Sequence, residues 1–74
     1  MAEIRTERIE SGAYHVYADD VMIGIARRDE FGQWRGRVVQ LEGFKTLGVV
    51  VGSTLSACCD HMAALRRSSR GAGV

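Results

Sequence analysis

The residues of this chain that combine nucleophile and metal-ligand chemistry are Cys58, Cys59, Asp60 and His61. Cys58 and His61 stand three apart, a spacing that places a thiol and an imidazole on one face of a helix, where they could share a metal. A structural zinc usually takes four protein ligands, and the sequence offers no second pair, so no metal is expected. A cysteine nucleophile needs a base and an oxyanion donor held in a cleft. The other histidine, His15, belongs to a hairpin on what reads as the opposite face, and no such cleft residues are evident. Asp19 with Asp20, and Asp29 with Glu30, are paired carboxylates. They fall at turn tips, however, where Asp is favoured for local backbone hydrogen bonds. Gly48 and Gly52 do not form a phosphate loop. The expectation is a chain with no catalytic residue and no cofactor, and not an enzyme.

The elements that position these residues can be read in chain order. Thr46 to Val51 is rich in β-branched residues, as a half-buried strand requires, and Gly52 breaks the run before Ser53 and Thr54. Either hydroxyl can cap a helix that begins near Thr54. Within that helix Leu55, Cys58, Met62 and Leu65 form one apolar stripe, while Ser56, Asp60, Ala64 and Arg67 fall mostly on the other side. The stripe predicts burial against a sheet, with Cys58 a small core residue, Cys59 a flanking one and His61 at the surface. Upstream, AYHVYA and VMIGIARR flank Asp19 and Asp20 as a hairpin. A second reversal at Asp29 to Gly32 leads into QWRGRVVQ, and a third at Leu41 to Gly43 leads into the last strand. Residues 1–11 match neither period and read as a frayed lead-in. Residues 12–67 read as a ββββα core, and 68–74 as a disordered tail.

The totals bound the class. With 74 residues the chain is one domain, and at that size folding hides only about 60% of the unfolded surface, enough for one thin core. A hydrophobic share of 46% and a charged share of 26% are those of a soluble globular domain. The net charge of +1 excludes an acidic DNA mimic and lacks the basic excess of many nucleic-acid binders. The two cysteines are adjacent, and side chains that diverge by about 100° on a helix do not readily bond to each other, so reduced thiols in a cytoplasmic protein are expected. No signal peptide or membrane span is expected, since the start is charged and no apolar run approaches about 18 residues.

Period two then assigns faces, subject to a slip of one wherever a bulge intervenes. Tyr14, Val16, Val21, Ile23, Ile25, Trp34, Val38, Leu47, Val49 and Val51 are expected under the helix, with Trp34 the main core filler. His15, Tyr17, Met22, Arg28, Arg35, Arg37 and Lys45 are expected on the reverse, with Gly24 and Gly36 near its middle. Arg27, Arg28, Arg35, Arg37 and Lys45 would leave a basic patch there. It is either a solvated surface guarding sheet edges or a contact for phosphate or an acidic protein surface.

The pattern Gly12-x-Tyr14-x-Val16, Asp20-x-x-x-Gly24, Gly32-x-Trp34, Gly48 and Thr54-Leu55-x-Ala57 resembles small β-meander-plus-helix proteins of phages and mobile elements. Some of these are anti-CRISPR inhibitors, and GAYHVYADDVMIGIARR is similar in style to one of them. LEGFKTLGVVVGSTL is similar to the HicB-like antitoxin domain, with Glu42 in place of the usual Pro and extra residues before Gly52. It is similar too to the double-stranded RNA-binding domain, with Ser53, Thr54 and Ser56 where that family has lysines. GQWRGRVV resembles the arm-type DNA-binding domain of phage integrases, whose sheet face would enter a groove.

The expectation is an α+β fold, a four-stranded antiparallel meander with one C-terminal helix packed on one face. The resemblance implies a non-enzymatic inhibitor that occludes a host protein or nucleoprotein complex. The alternative is a module that binds DNA or RNA through its basic sheet face. The partner-binding residues in either case are Arg27, Arg28, Arg35, Arg37, Lys45, Tyr17 and His15. An uncovered face or edge strand also leaves a homodimer open.

Overall fold

The computed structural model describes residues 3–40 and 45–72. The chain forms β1 (Ile4–Glu10), β2 (Ala13–Ala18), β3 (Val21–Arg28), β4 (Trp34–Gln40), β5 (Lys45–Gly52) and α1 (Leu55–Ala72). The strands make one antiparallel sheet in the order β1-β2-β3-β4-β5. The α+β meander with one C-terminal helix is therefore present, but with five strands and not four. No helix among the described residues is long and apolar enough to cross a membrane.

The expected lead-in is strand β1. It pairs with β2 from Ile4↔Ala18 to Glu10↔Ala13, and the register shifts between Arg8 and Glu10. Ile9 is the extra residue of that bulge, which is why the apolar positions Ile4 and Ile9 fit no simple period. The start of the strand is pinned twice: Glu3 N–H donates to Asp19 Oδ1 and Asp19 N–H donates to Glu3 O, both at 2.9 Å. The expected tail is also shorter, because α1 runs on to Ala72. Extending a formed helix needs no new nucleus, and no proline stops it. The reversal expected at Leu41 to Gly43, and the last residues of the tail, lie outside the described residues.

Two-residue turns set the hairpin register. Asp19 (φ 52°) and Asp20 (φ 66°) are consecutive left-handed residues, the backbone whose twist matches that of the flanking strands. Their acidic side chains thus belong to a tight turn. At the helix start, Ala57 N–H donates to Thr54 Oγ1 at 3.1 Å, so Thr54 is the cap.

Two further bulges decide which residues face the helix. Gly24 pairs with Val16 and Met22 with Tyr17, leaving Ile23 as an extra residue in β3. Gly48 pairs with Val38 and Thr46 with Val39, leaving Leu47 extra in β5. Ile23 and Leu47 both pack into the core, and the alternation restarts one residue later. In β3 the next inward residues are Gly24 and Ala26. In β5 they are Gly48 and Val50. Ile25, Val49 and Val51, expected under the helix, therefore point to the other side. Tyr14, Val16, Ile23, Trp34, Val38 and Leu47 take the expected face, whereas Val21 takes it only at the sheet margin, where it stays exposed.

The core is formed by Val16, Ala18, Ile23, Ala26 and Val38 from the sheet and Cys58, Cys59, Met62 and Ala63 from α1. Trp34 packs at its margin, tilted against Tyr14 with ring centroids 5.7 Å apart, so the centre is filled by Met62 and Ile23 instead. The helix lies over β5, β4 and β3 in decreasing order of contact. It can approach because Gly24 and Gly36 stand beneath it, on the helix face and not the reverse as expected. A Cβ on Gly36 would strike Met62 Sδ and come within 2.9 Å of Cys58 Sγ. One on Gly24 would strike the Arg37 carbonyl oxygen and come within 2.8 Å of Met62 Cε. Gly36→Ala should accordingly lower stability by about 1–3 kcal/mol. Combined with Met62→Ala, it should cost clearly less than the sum of the two single changes, measured by urea denaturation in a double-mutant cycle.

Candidate functional site

The helix covers one side of the sheet, and among the described residues the other has no second layer. Register places one row across all five strands of that open side: Glu7, His15, Ile25, Arg37 and Val49. A second row holds Ala13, Arg27, Arg35 and Val51, and a third holds Arg5, Tyr17 and Met22. His15, Tyr17, Met22 and Ile25 are half-buried, and Val49 and Val51 are exposed. The Arg5 guanidinium carbon sits 4.5 Å from the centre of the Tyr17 ring in a cation-π contact, and His15 meets the same ring edge-on at 6.5 Å. The face is thus apolar at its middle and charged at intervals.

The charges are largely matched. Arg5 reaches Asp20 at 3.7 Å, Arg27 reaches Glu10 at 3.5 Å and Arg35 reaches Asp29 at 3.2 Å. The first two pairs are exposed and contribute little to stability, but they cancel charge locally. Arg37 makes no ion pair among the described residues, and it lies between Ile25 and Val49 in the central row.

Asp29 organises the β3–β4 turn. Its Oδ1 accepts the N–H groups of Phe31 and Gln33, both at 2.9 Å, and its Oδ2 accepts Arg35 Nε. Burial pushes its carboxyl pKa up, but the Gln33 and Phe31 amides and the Arg35 guanidinium outweigh that and hold it below its ordinary value. The carboxylate thus ties both ends of the turn together, and the turn carries Phe31 at its tip with 80% of its surface exposed.

Of the residues expected to bind a partner, the structure brings together His15, Tyr17, Arg27, Arg35 and Arg37. Arg28 and Lys45 do not join them. Arg28 pairs with Trp34, and Lys45 pairs with Gln40 next to the outward-facing Val39↔Thr46 pair, so both fall on the side of the helix. The bulge at Ile23 inverts the alternation ahead of Arg28, whereas Lys45 is in step with Leu47 two residues on and shares its inward face by plain alternation. Arg5, Glu7, Ile25, Val49 and Val51 belong to the open face and escaped sequence reasoning. Ile4, Thr6 and Ile9 in a charged stretch were the only signal for β1, and nothing local marked the bulges.

The cysteine cluster is structural in its placement. Cys58 and Cys59 are both free and both buried, so Cys59 is a core residue and not a flanking one. Burial raises the Cys58 thiol pKa. Burial, with Cys58 and Asp60 adding to it, raises that of Cys59 to about 11. His61 is exposed, as expected, and its Nδ1 lies 3.1 Å from the Val51 carbonyl, so that nitrogen carries the proton and donates it. His15 lies across the sheet from these thiols. Among the described residues no three His, Cys, Asp or Glu side chains are grouped to hold a metal ion. An open cavity of about 440 Å³ lies between β1 and the first turns of α1, lined by Ile4, Thr6, Leu55, Ser56, Cys59 and Asp60.

No protein-family model, curated protein or solved structure matches this chain.

Two outcomes follow from these environments. Asp29→Ala should lower the melting temperature and speed amide exchange at Phe31 and Gln33. Because the folded carboxyl pKa is depressed, the stability Asp29 contributes is present above its ordinary value of 3.8 and is lost as pH falls through the lower folded value. Acid titrations of wild type and Asp29→Ala should therefore converge at the acid end and diverge above it. The thiols should resist iodoacetamide at pH 8 in the native protein, by mass spectrometry, and both should be alkylated once urea unfolds it.

Proposed function

We propose that this chain is a non-enzymatic protein-binding module that acts by occlusion, with the helix-free sheet face as its contact surface. The observation that carries this reading is the charge pattern of that face. Arg5, Arg27, Arg35 and Arg37 are set among Glu7, Glu10, Asp20 and Asp29, and three of the four arginines are ion-paired. A surface that tracks a phosphate backbone needs an excess of free cations, whereas a protein interface favours mixed charge around an apolar centre with aromatic and arginine anchors. His15, Tyr17, Ile25 and Val49 supply that centre and Arg37 the anchor. The resemblance to anti-CRISPR inhibitors of phages and mobile elements gives the partner class, a host nucleoprotein such as a CRISPR effector. Buried thiols of raised pKa, separated by the sheet from His15, fit a binding role better than catalysis.

The decisive experiment is a pull-down from host lysate with the tagged chain, followed by identification of the partner and of the stoichiometry. A stoichiometric complex with a nucleoprotein is expected, lost when Arg37→Glu and Tyr17→Ala are combined. The chain alone should not shift duplex DNA or RNA at low salt. A shift that weakens steeply with salt and disappears in Arg35→Glu with Arg37→Glu would replace this reading with direct nucleic-acid binding.

A further inference from the structure

The two sides of the sheet are charged differently. On the open face four arginines stand among Glu7, Glu10, Asp20 and Asp29. Register puts no Asp or Glu of the described strands on the helix side, where Arg8, Arg28 and Lys45 fall instead. The helix carries Arg66 and Arg67 and one carboxylate, Asp60. The net charge of +1 thus combines a nearly neutral side with a basic one.

At one end of the basic side the cations meet aromatic rings. Arg8 is opposite Tyr14 and Arg28 is opposite Trp34, and the two rings meet across β3 with centroids 5.7 Å apart. Tyr14 and Trp34 are half-buried; Arg8 and Arg28 are exposed and make no ion pair among the described residues. The turn that joins Arg28 to Trp34 carries Phe31, whose ring is 80% exposed. Glu10 and Asp29, which flank these strands, are drawn to the open face by Arg27 and Arg35. Glu30 is exposed beside Phe31, and Asp60 lies with Thr6 on the cavity beside β1. An acidic protein surface would use the arginines alone. Single-stranded nucleic acid uses both features, setting phosphates on cations and unpaired bases on ring faces. Arg8 and Arg28 stand two strand intervals apart, roughly 10 Å, which leaves room for a base between them.

We propose that this end of the helix side binds single-stranded nucleic acid, with Arg8 and Arg28 holding phosphates and Phe31, Trp34 and Tyr14 stacking bases. A duplex is not taken, because its bases are stacked on one another and two cations grip its backbone weakly. The site shares no residue with the open face and does not rest on the role proposed for that face.

Trp34 is the lone tryptophan, so its fluorescence reports on the site. Titrating the full chain with oligo-dT or oligo-U at low salt should quench it, and log K should fall against log salt with a slope of about −1.4 or steeper, the value for two phosphates of a single strand. Arg8→Gln with Arg28→Gln should weaken binding about tenfold or more and remove that slope. Phe31→Ala should weaken it about fivefold or more, since a base loses its ring. Arg35→Gln with Arg37→Gln, on the open face, should have far less effect. Absence of quenching up to millimolar oligonucleotide would overturn the proposal. So would an open-face pair that weakens binding as much as Arg8 and Arg28 do, or polyglutamate that competes as well as the oligonucleotide, which would mark an acidic-protein surface instead. Should a variant lose its native circular dichroism, amide shifts of the wild type on adding oligo-dT decide the matter. Shifts centred on Arg8, Arg28 and Phe31 support the site, and shifts centred on the Arg37 row sink it.

Discussion

Everything in this molecule depends on how closely α1 can approach the sheet. A 74-residue chain has few large apolar side chains to spend on a core, so contact must come from proximity. Gly24 and Gly36 supply it by leaving the backbone bare under Met62 and Cys58. The flexible thioether of Met62 spans both glycines and is wholly buried. Gly52 does the same at the strand-to-helix turn, where a Cβ would come within 2.5 Å of the Cys58 amide nitrogen. Small residues on the sheet and sulfur side chains on the helix thus form one interlocking layer. Trp34 and Tyr14 close one end of it.

The open face is a consequence of the same arrangement. A helix set over β3 to β5 leaves no second layer for the reverse of the sheet, so those residues must coexist with water. Two bulges adjust which residues these are. By turning Ile23 and Leu47 inward, the bulges put Ile25, Val49 and Val51 outside and bring glycine, alanine and valine under the helix. Larger side chains there would hold the helix off. The outward valines and isoleucine then give the reverse face an apolar centre, and matched arginine–carboxylate pairs around it keep the face soluble without making it strongly basic.

Much of the architecture was legible because its signals are local. The bounds of β2 and β3, the Asp19–Asp20 turn, the Thr54 cap and the stripe Leu55, Cys58, Met62 and Leu65 all follow from neighbours within one turn or one hairpin. The face assignments were less legible because a bulge is a non-local feature. It exists only where two strands are already paired, and one extra residue inverts everything downstream until the next shift. β1 was hidden for a related reason: a solvent-exposed edge strand needs no apolar alternation, and its stability comes from the ladder with β2 and the two Glu3–Asp19 hydrogen bonds.

The sequence by itself determined the α+β class, the antiparallel order of the inner strands, the start of the helix and its buried stripe, because propensity, turn chemistry and periodicity act at short range. Tertiary structure alone decided that Arg27, Arg35 and Arg37 share a face while Arg28 and Lys45 do not, and that Arg27 and Arg35 are neutralised by Glu10 and Asp29. It also decided that the charged strand β1 forms one sheet edge and the uncharged stretch of β5 the other, with His61 of the helix on the Val51 carbonyl. Those outcomes depend on strand register and on distances between residues far apart in the chain. Neither quantity exists until the sheet has formed.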